Sequence, residues 1–147
     1  LETHQPKMKR YGVDYSEYNL TKAREFAEAK RCDLNENIPF DDGIFDTVYM
    51  AEVIEHLVDP DRVLREANRV LKKNKYCAIL IGDTRKRGHI IPIGFNIMEI
   101  FLRTGFKLKE IIIKEQHTCS STGYWRNQSI KYNFLLIEHE YLFIFRK

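Results

Sequence analysis

Residues 9–34 constrain this chain more than any other stretch. Met8-Lys9-Arg10-Tyr11-Gly12-Val13-Asp14 reads as a short strand ending in an acid, and Arg31-Cys32-Asp33-Leu34 as a second strand ending in another. Between them, residues 16–30 read as a helix: Ser16 stands where a cap belongs, and Leu20, Ala23, Phe26 and Ala27 recur at helical spacing. Strand, crossover helix and strand make a right-handed parallel unit. Ligands of open α/β sheets bind beyond the carboxyl ends of such strands. Asp14 and Asp33 would share that rim, where one carboxylate can accept from ribose hydroxyls and the other can face the amino group of a base. The same acids also serve as turn and helix-cap residues, and spacing alone leaves both roles open.

The rest of the chain repeats the theme. Residues 35–43, with Pro39, Asp41, Asp42 and Gly43, read as a loop. Ile44-Phe45-Asp46-Thr47-Val48-Tyr49-Met50 is rich in β-branched and aromatic residues and reads as a strand. A helical turn over residues 51–57 would bring Glu52, Glu55 and His56 to the same rim. There His56, with a reference pKa near ~6.5, suits proton transfer; the competing reading is capping and salt-bridging around Asp59. Asp59-Pro60-Asp61 marks a helix start, and Val63, Leu64, Ala67, Val70 and Leu71 form its apolar stripe, with Lys72 and Lys73 at its negative end. Residues 76–81 are nearly all apolar, as a strand buried on both faces should be.

Beyond that strand, Gly82-Asp83-Thr84-Arg85 stands at another carboxyl end, where a pocket role and a turn closed by an ion pair are both open. Residues 85–89 read as a basic loop, 93–104 as a helix stopped by Gly105, 106–114 as a strand, and 115–131 as a long polar connection. Residues 132–146 complete the chain as one strand or two. The last strands lack a helix between them, so an antiparallel hairpin should flank a mostly parallel sheet. The expected fold is α/β, with helices on both faces.

A chain of 147 residues suits one domain with a hydrophobic core. No apolar run reaches the ~20 residues of a membrane helix, and the N-terminal residues show no signal peptide. Cys32, Cys77 and Cys119 fit neither a disulfide framework nor a zinc site, and the five histidines lack ligand spacing. Reduced thiols in a cytoplasmic protein, without a metal, are the expectation. Charge divides unevenly: residues 1–73 hold 12 Lys+Arg against 15 Asp+Glu, and residues 74–147 hold 12 against 6. An anionic partner for the second half, or a solvated basic face, accounts for this.

The architecture with its edge acids resembles the class I S-adenosylmethionine-dependent methyltransferases, Rossmann-like enzymes. Residues 10–73 are similar to the small-molecule-type family, on Tyr11-Gly12-Val13-Asp14, Arg31-Cys32-Asp33-Leu34, Ile38-Pro39-Phe40, Phe45-Asp46, Glu52-Val53-Ile54-Glu55-His56-Leu57 and Arg69-Val70-Leu71-Lys72-Lys73. Residues 73–147 resemble the later part of DNA amino-methyltransferases, on the runs from Lys73 to Lys86, Ile91-Pro92-Ile93-Gly94-Phe95, Phe106-Lys107-Leu108-Lys109-Glu110-Ile111-Ile112, Glu115-Gln116-His117 and His139-Glu140-Tyr141-Leu142-Phe143. The domain would then comprise a lead-in over 1–10, a cofactor-side half over 11–73 and a DNA-methylase-like half over 74–147.

The resemblance implies S-adenosyl-L-methionine as cofactor, Asp14 with neighbouring Tyr15 at the ribose, Asp33 at the adenine amino group, the Leu34 amide at the ring, and Met50 and Ala51 near the methionine part. It implies DNA as a partner. The residues themselves offer Arg85 at the pocket edge, and Tyr124, Trp125 and Arg126 in the loop from His117 to Arg126, as candidate substrate contacts, since aromatic and basic groups together stack bases and hold phosphate. Trp125 has a second reading, packing under its own loop. Two departures stand out. The family's first strand and glycine-rich loop should precede Tyr11 and are not seen. The Asp/Asn/Ser-Pro-Pro-aromatic run of DNA amino-methyltransferases is replaced by Met50-Ala51-Glu52-Val53, leaving Glu52 and His56 as catalytic candidates. A strand edge left open by the absent strand would invite pairing with another copy. The other expectation is a methyltransferase-fold module that binds nucleic acid or a partner without reaction.

Overall fold

The computed structural model describes residues 8–51, 53–115 and 122–147. Strand β1 (Tyr11–Asp14) leads through helix α1 (Glu17–Ala23) to β2 (Glu28–Arg31), and β1 and β2 pair in parallel as a two-stranded sheet. Then come β3 (Phe45–Ala51), a 3-10 turn (Ile54–His56), α2 (Pro60–Val70) and β4 (Leu71–Ile81). A small hairpin, β5 (Thr84–Lys86) and β6 (His89–Ile91), precedes α3 (Ile93–Arg103), β7 (Lys107–Glu115), α4 (Thr122–Tyr132) and β8 (His139–Arg146). The main sheet runs β3-β4-β8-β7, with β3 and β4 parallel and β8 antiparallel to both its neighbours. The expected α/β architecture and C-terminal antiparallel pair are both present.

The core lies where α2 and α3 pack on this sheet. Val63, Leu64, Ala67 and Val70 bury the stripe of α2, Ile97 and Phe101 that of α3, and Cys77, Ile79, Phe143 and Phe145 the facing strands. Phe101 and Phe145 stack with ring centroids 4.0 Å apart. Asp59 starts α2 as its sequence dictates, accepting from the Arg62 amide at 3.1 Å, with Pro60 in the first turn.

Several elements differ from expectation. The first helix stops at Ala23 and β2 begins at Glu28, three residues before Arg31. A helix over 16–30 would run about 22 Å, but it has to return along a strand of about 13 Å; Glu28 instead donates to the Arg10 carbonyl at 2.9 Å and starts the pairing early. Phe26 is consequently 62% exposed. Lys72 and Lys73 belong to β4, which follows α2 without a loop, and Lys72 and Lys75 reach Asp46 at 2.9 and 3.0 Å. The buried face of β4 is Cys77, Ile79 and Ile81, while Tyr76 is exposed, so only one face is fully covered. The basic loop is a hairpin turned by Arg87 and Gly88, with φ of 51° and 83°. The polar connection contains α4, and β8 is a single strand starting at His139.

Removing the stacked pair should test this core directly. Phe101→Ala is expected to cost about 3–5 kcal/mol in chemical denaturation, a large part of the stability of a domain this size.

Candidate functional site

The rim foreseen for Asp14 and Asp33 is present. Asp14 ends β1, opposite Arg31 of β2, and its carbonyl accepts from the Cys32 amide at 3.0 Å. Asp33 therefore follows one residue after the last inter-strand bond. Each carboxylate is set by a local turn: Asp14 accepts from the Ser16 amide (2.7 Å) and the Asn19 side chain (3.1 Å), and Asp33 Oδ1 accepts from the amide and side chain of Asn35 (both 2.9 Å). Two carboxylate oxygens offer about four acceptor sites, so neither acid is saturated. The Cys32 thiol is buried, and burial, then the charges of Asp33, Glu36 and Glu66, push it up.

Between β1 and β3 runs an apolar slot of about 240 Å³, lined by Gly12 and Val13 on one side, Val48 and Met50 on the other, with Leu34 and Ile38. Val13 and Leu34 are the chain neighbours of Asp14 and Asp33, so both acids adjoin the slot in the chain, although neither carboxylate is part of its lining. Tyr11, Phe40 and Phe45 close one part of the slot, with centroids 4.9–5.7 Å apart. Tyr15 is exposed beneath the Arg31 guanidinium, 5.1 Å away, and neither it nor Ala51 lines the slot.

A clamp that the sequence reading missed holds the wall carrying Leu34, Ile38 and Phe40. Arg69 donates to the Phe40 carbonyl (2.8 Å), the Ile38 carbonyl (2.9 Å), Asp42 (2.7 Å) and both oxygens of Glu66 (2.9 and 2.7 Å). Glu66 in turn accepts from the Ile38 amide at 3.0 Å. The signal available in sequence was the i,i+3 spacing of Glu66 and Arg69 on one helix. The Arg69 hydrogen bonds, with the Ile38 amide beside them, hold the Glu66 carboxyl below its usual range against the effect of burial.

A second hollow, a cleft of about 760 Å³, opens beyond the carboxyl end of β4. It brings together Arg85 of the hairpin, Trp125 and Tyr132 of α4, Phe134 and Asp83. Arg85 donates to the Gly88 carbonyl (2.9 Å) and the Leu135 carbonyl (3.1 Å), and its guanidinium lies 5.0 Å from the Phe134 ring. It therefore joins hairpin to wall; among the described residues it makes no ion pair with Asp83. Trp125 is 51% exposed, meets Tyr124 edge-on at 5.3 Å and faces the cleft, so packing under its own loop is not its role. Tyr124 and Arg126 are exposed on α4 outside the lining. His56 is exposed on its turn and lines neither hollow. Glu52, the Glu55 side chain and Cys119 lie outside the described residues.

Comparison with known proteins decides the family. Residues 2–79 match the family described as a methyltransferase domain. The chain belongs to that family. It is 51% identical over 37 residues to a sarcosine/dimethylglycine N-methyltransferase of Halorhodospira halochloris, a match covering 25% of this chain and 13% of that protein. Its fold is that of an S-adenosylmethionine-dependent methyltransferase from Methanosarcina mazei (TM-score 0.65, 17% identity, 93% of this chain and 81% of that one). It is also that of a Thermus thermophilus protein provisionally named a DNA modification methylase (TM-score 0.61, 23% identity, 95% of this chain and 53% of that one).

S-adenosyl-L-methionine is the cofactor of this methyltransferase family, and the residues present fit it: unsaturated carboxylates on adjoining strand ends, beside an apolar slot. At about 240 Å³ the slot is smaller than the ~300–1,000 Å³ of whole-ligand sites. That size suits the nucleoside portion.

The clamp carries a pH signature. A carboxyl held low in the fold adds stability above its unfolded pKa of about 4.3 and loses it as pH falls through the lower folded value. Wild type should therefore melt above Glu66→Gln at pH 7, and the gap should close below about pH 4 in thermal melts across a pH series.

Proposed function

We propose that this methyltransferase domain transfers the methyl group of S-adenosyl-L-methionine to amino groups of DNA bases. The observation that carries the substrate class is the second cleft, where Trp125, Tyr132 and Phe134 stand with Arg85 and Arg87. Aromatic faces stack a base taken out of the helix, and a guanidinium such as that of Arg87 holds phosphate, while Arg85 holds the wall in place. The excess of basic over acidic residues after residue 73, 12 against 6, favours a polyanion. The N-methyltransferase name of the Halorhodospira relative supports nitrogen as the accepting atom, and the name of the Thermus protein supports DNA.

In this reading Asp14 accepts from the ribose hydroxyls and Asp33 from the adenine amino group through the acceptor sites their turns leave open. Leu34 and Met50 cover the apolar parts of the nucleoside. When bound, the cofactor would supply an electrophilic methyl group on a sulfonium for transfer to the amine nitrogen, with S-adenosyl-L-homocysteine and a proton as the other products. The protein's share is placement of the nucleophile in line, which requires little acid–base help. His56, outside both hollows, has no step in it.

Two measurements test this. Titration calorimetry with S-adenosyl-L-homocysteine should give saturable heat, and Asp14→Ala should weaken binding by about tenfold or more, as expected for loss of hydrogen bonds to a charged acceptor. With methyl-labelled cofactor, label should enter single-stranded DNA. Label entering sarcosine or dimethylglycine but not DNA would overturn the substrate class, and absence of heat would overturn the cofactor site.

A further inference from the structure

Asp83 is the one carboxylate of the second cleft that the fold holds by several contacts among the described residues. It follows the carboxyl end of β4, and its Oδ1 accepts from the Gly94 amide in the first turn of α3 at 2.9 Å. The Tyr141 hydroxyl faces it from β8, and His139 Nε2 lies 3.0 Å behind that hydroxyl. Burial, then the charge and hydrogen bond of Asp83, push the Tyr141 phenol up. The arrangement needs glycine at 94: a Cβ there would stand 2.8 Å from Tyr141 Cδ2 and 3.4 Å from Asp83 Oδ1. Three elements thus converge on this half-buried group while it still lines the cleft. Aspartate is acceptor-only, and two held contacts leave acceptor capacity for a ligand.

The other charges of the cleft do different things. Arg85 is committed to two carbonyls and to the Phe134 ring, and Glu138 is exposed. A flat ring lying among Trp125, Tyr132 and Phe134 would therefore meet one fixed acceptor at its edge. We propose that Asp83 is the specificity-determining residue of the cleft, accepting a hydrogen bond from the exocyclic amino group of the bound base and rejecting bases that carry a carbonyl there. The inference rests on the nucleobase reading above. A fixed acceptor facing a carbonyl leaves two like dipoles opposed and unpaired, which is the strongest kind of discrimination a site can build.

Trp125 is the sole tryptophan of the chain and lines this cleft, so its fluorescence reports occupancy directly. The experiment titrates wild type and Asp83→Asn with 2′-deoxyadenosine 5′-monophosphate and 2′-deoxyinosine 5′-monophosphate, which differ at the amino position. Asparagine can still accept from the Gly94 amide but presents an amide donor in place of the second carboxylate oxygen. Wild type should bind the amino base about tenfold or more tightly than its carbonyl counterpart, and in the variant the preference should vanish or invert, because the amide donor now suits the carbonyl. Asp83→Ser, a smaller acceptor for the same amide, is the second variant if Asp83→Asn melts early, and it should lose the preference likewise. Equal binding of both nucleotides by wild type, or a preference that survives in the variants, would overturn the role of Asp83 and leave base binding standing. No quenching by either nucleotide would overturn both.

Discussion

The connection between β2 and β3 is sewn to α2, and the placement of the rim that carries Asp14 and Asp33 depends on it. The β1–β2 pair shares no strand ladder with the main sheet among the described residues. What holds the two together is mostly side-chain chemistry, the Arg69 and Glu66 clamp on Ile38, Phe40 and Asp42 and the rings of Tyr11, Phe40 and Phe45, with one backbone bond from the Gly43 amide to the Arg69 carbonyl at 2.9 Å. Arg69 is suited to this because a planar fork of five donors can satisfy several acceptors at once, and those partners raise its own affinity for its proton. Hydrogen bonds to charged groups are worth about 1.5–3 kcal/mol each, so the clamp offsets the absence of backbone pairing.

From that constraint follows a division between two hollows. The slot between β1 and β3 is narrow and apolar, with acids beside it, and it suits a nucleoside whose polar edge faces Asp14 and Asp33. The cleft beyond β4 is larger and mixes aromatic faces with guanidinium groups, and it suits a flat acceptor attached to an anion. The cleft lies beyond the carboxyl end of β4, where an open α/β sheet presents its ligands, whereas the slot runs along β1 and β3, with Val63, Ala67 and Val70 of α2 in its lining. The two hollows thus stand on neighbouring elements, with Met50 of β3 and Asp83 after β4 on neighbouring strands of one sheet.

Where structure is local, the sequence was legible. Asp59-Pro60 fixes the start of α2, because a cap and a preset φ act within four residues. The enrichment in β-branched and aromatic residues over 44–50 marks β3 to within a residue. The first helix was overread because Phe26 and Ala27 continue its period, while the short reach of β1 ends it; length matching between neighbours is invisible in a local window. Helix α4 was missed since residues 122–132 carry no apolar stripe, with Tyr124, Trp125, Ile130 and Tyr132 all exposed. Of the candidate site, the placement of Asp14 and Asp33 at one strand-end rim was readable, whereas the Arg69 clamp joins residues up to 31 apart in the chain and the Arg85 contact to Leu135 spans 50. No periodicity announces such pairs.

The proposed place for a nucleoside is the slot that Asp14 and Asp33 adjoin. Hydrogen exchange with and without S-adenosyl-L-homocysteine examines it segment by segment. Protection confined mainly to residues 11–14, 33–40 and 45–51, with β7 and β8 unchanged, is the predicted result. Protection absent from those segments at saturating ligand, or appearing only around residues 84–91 and 133–138, would contradict it.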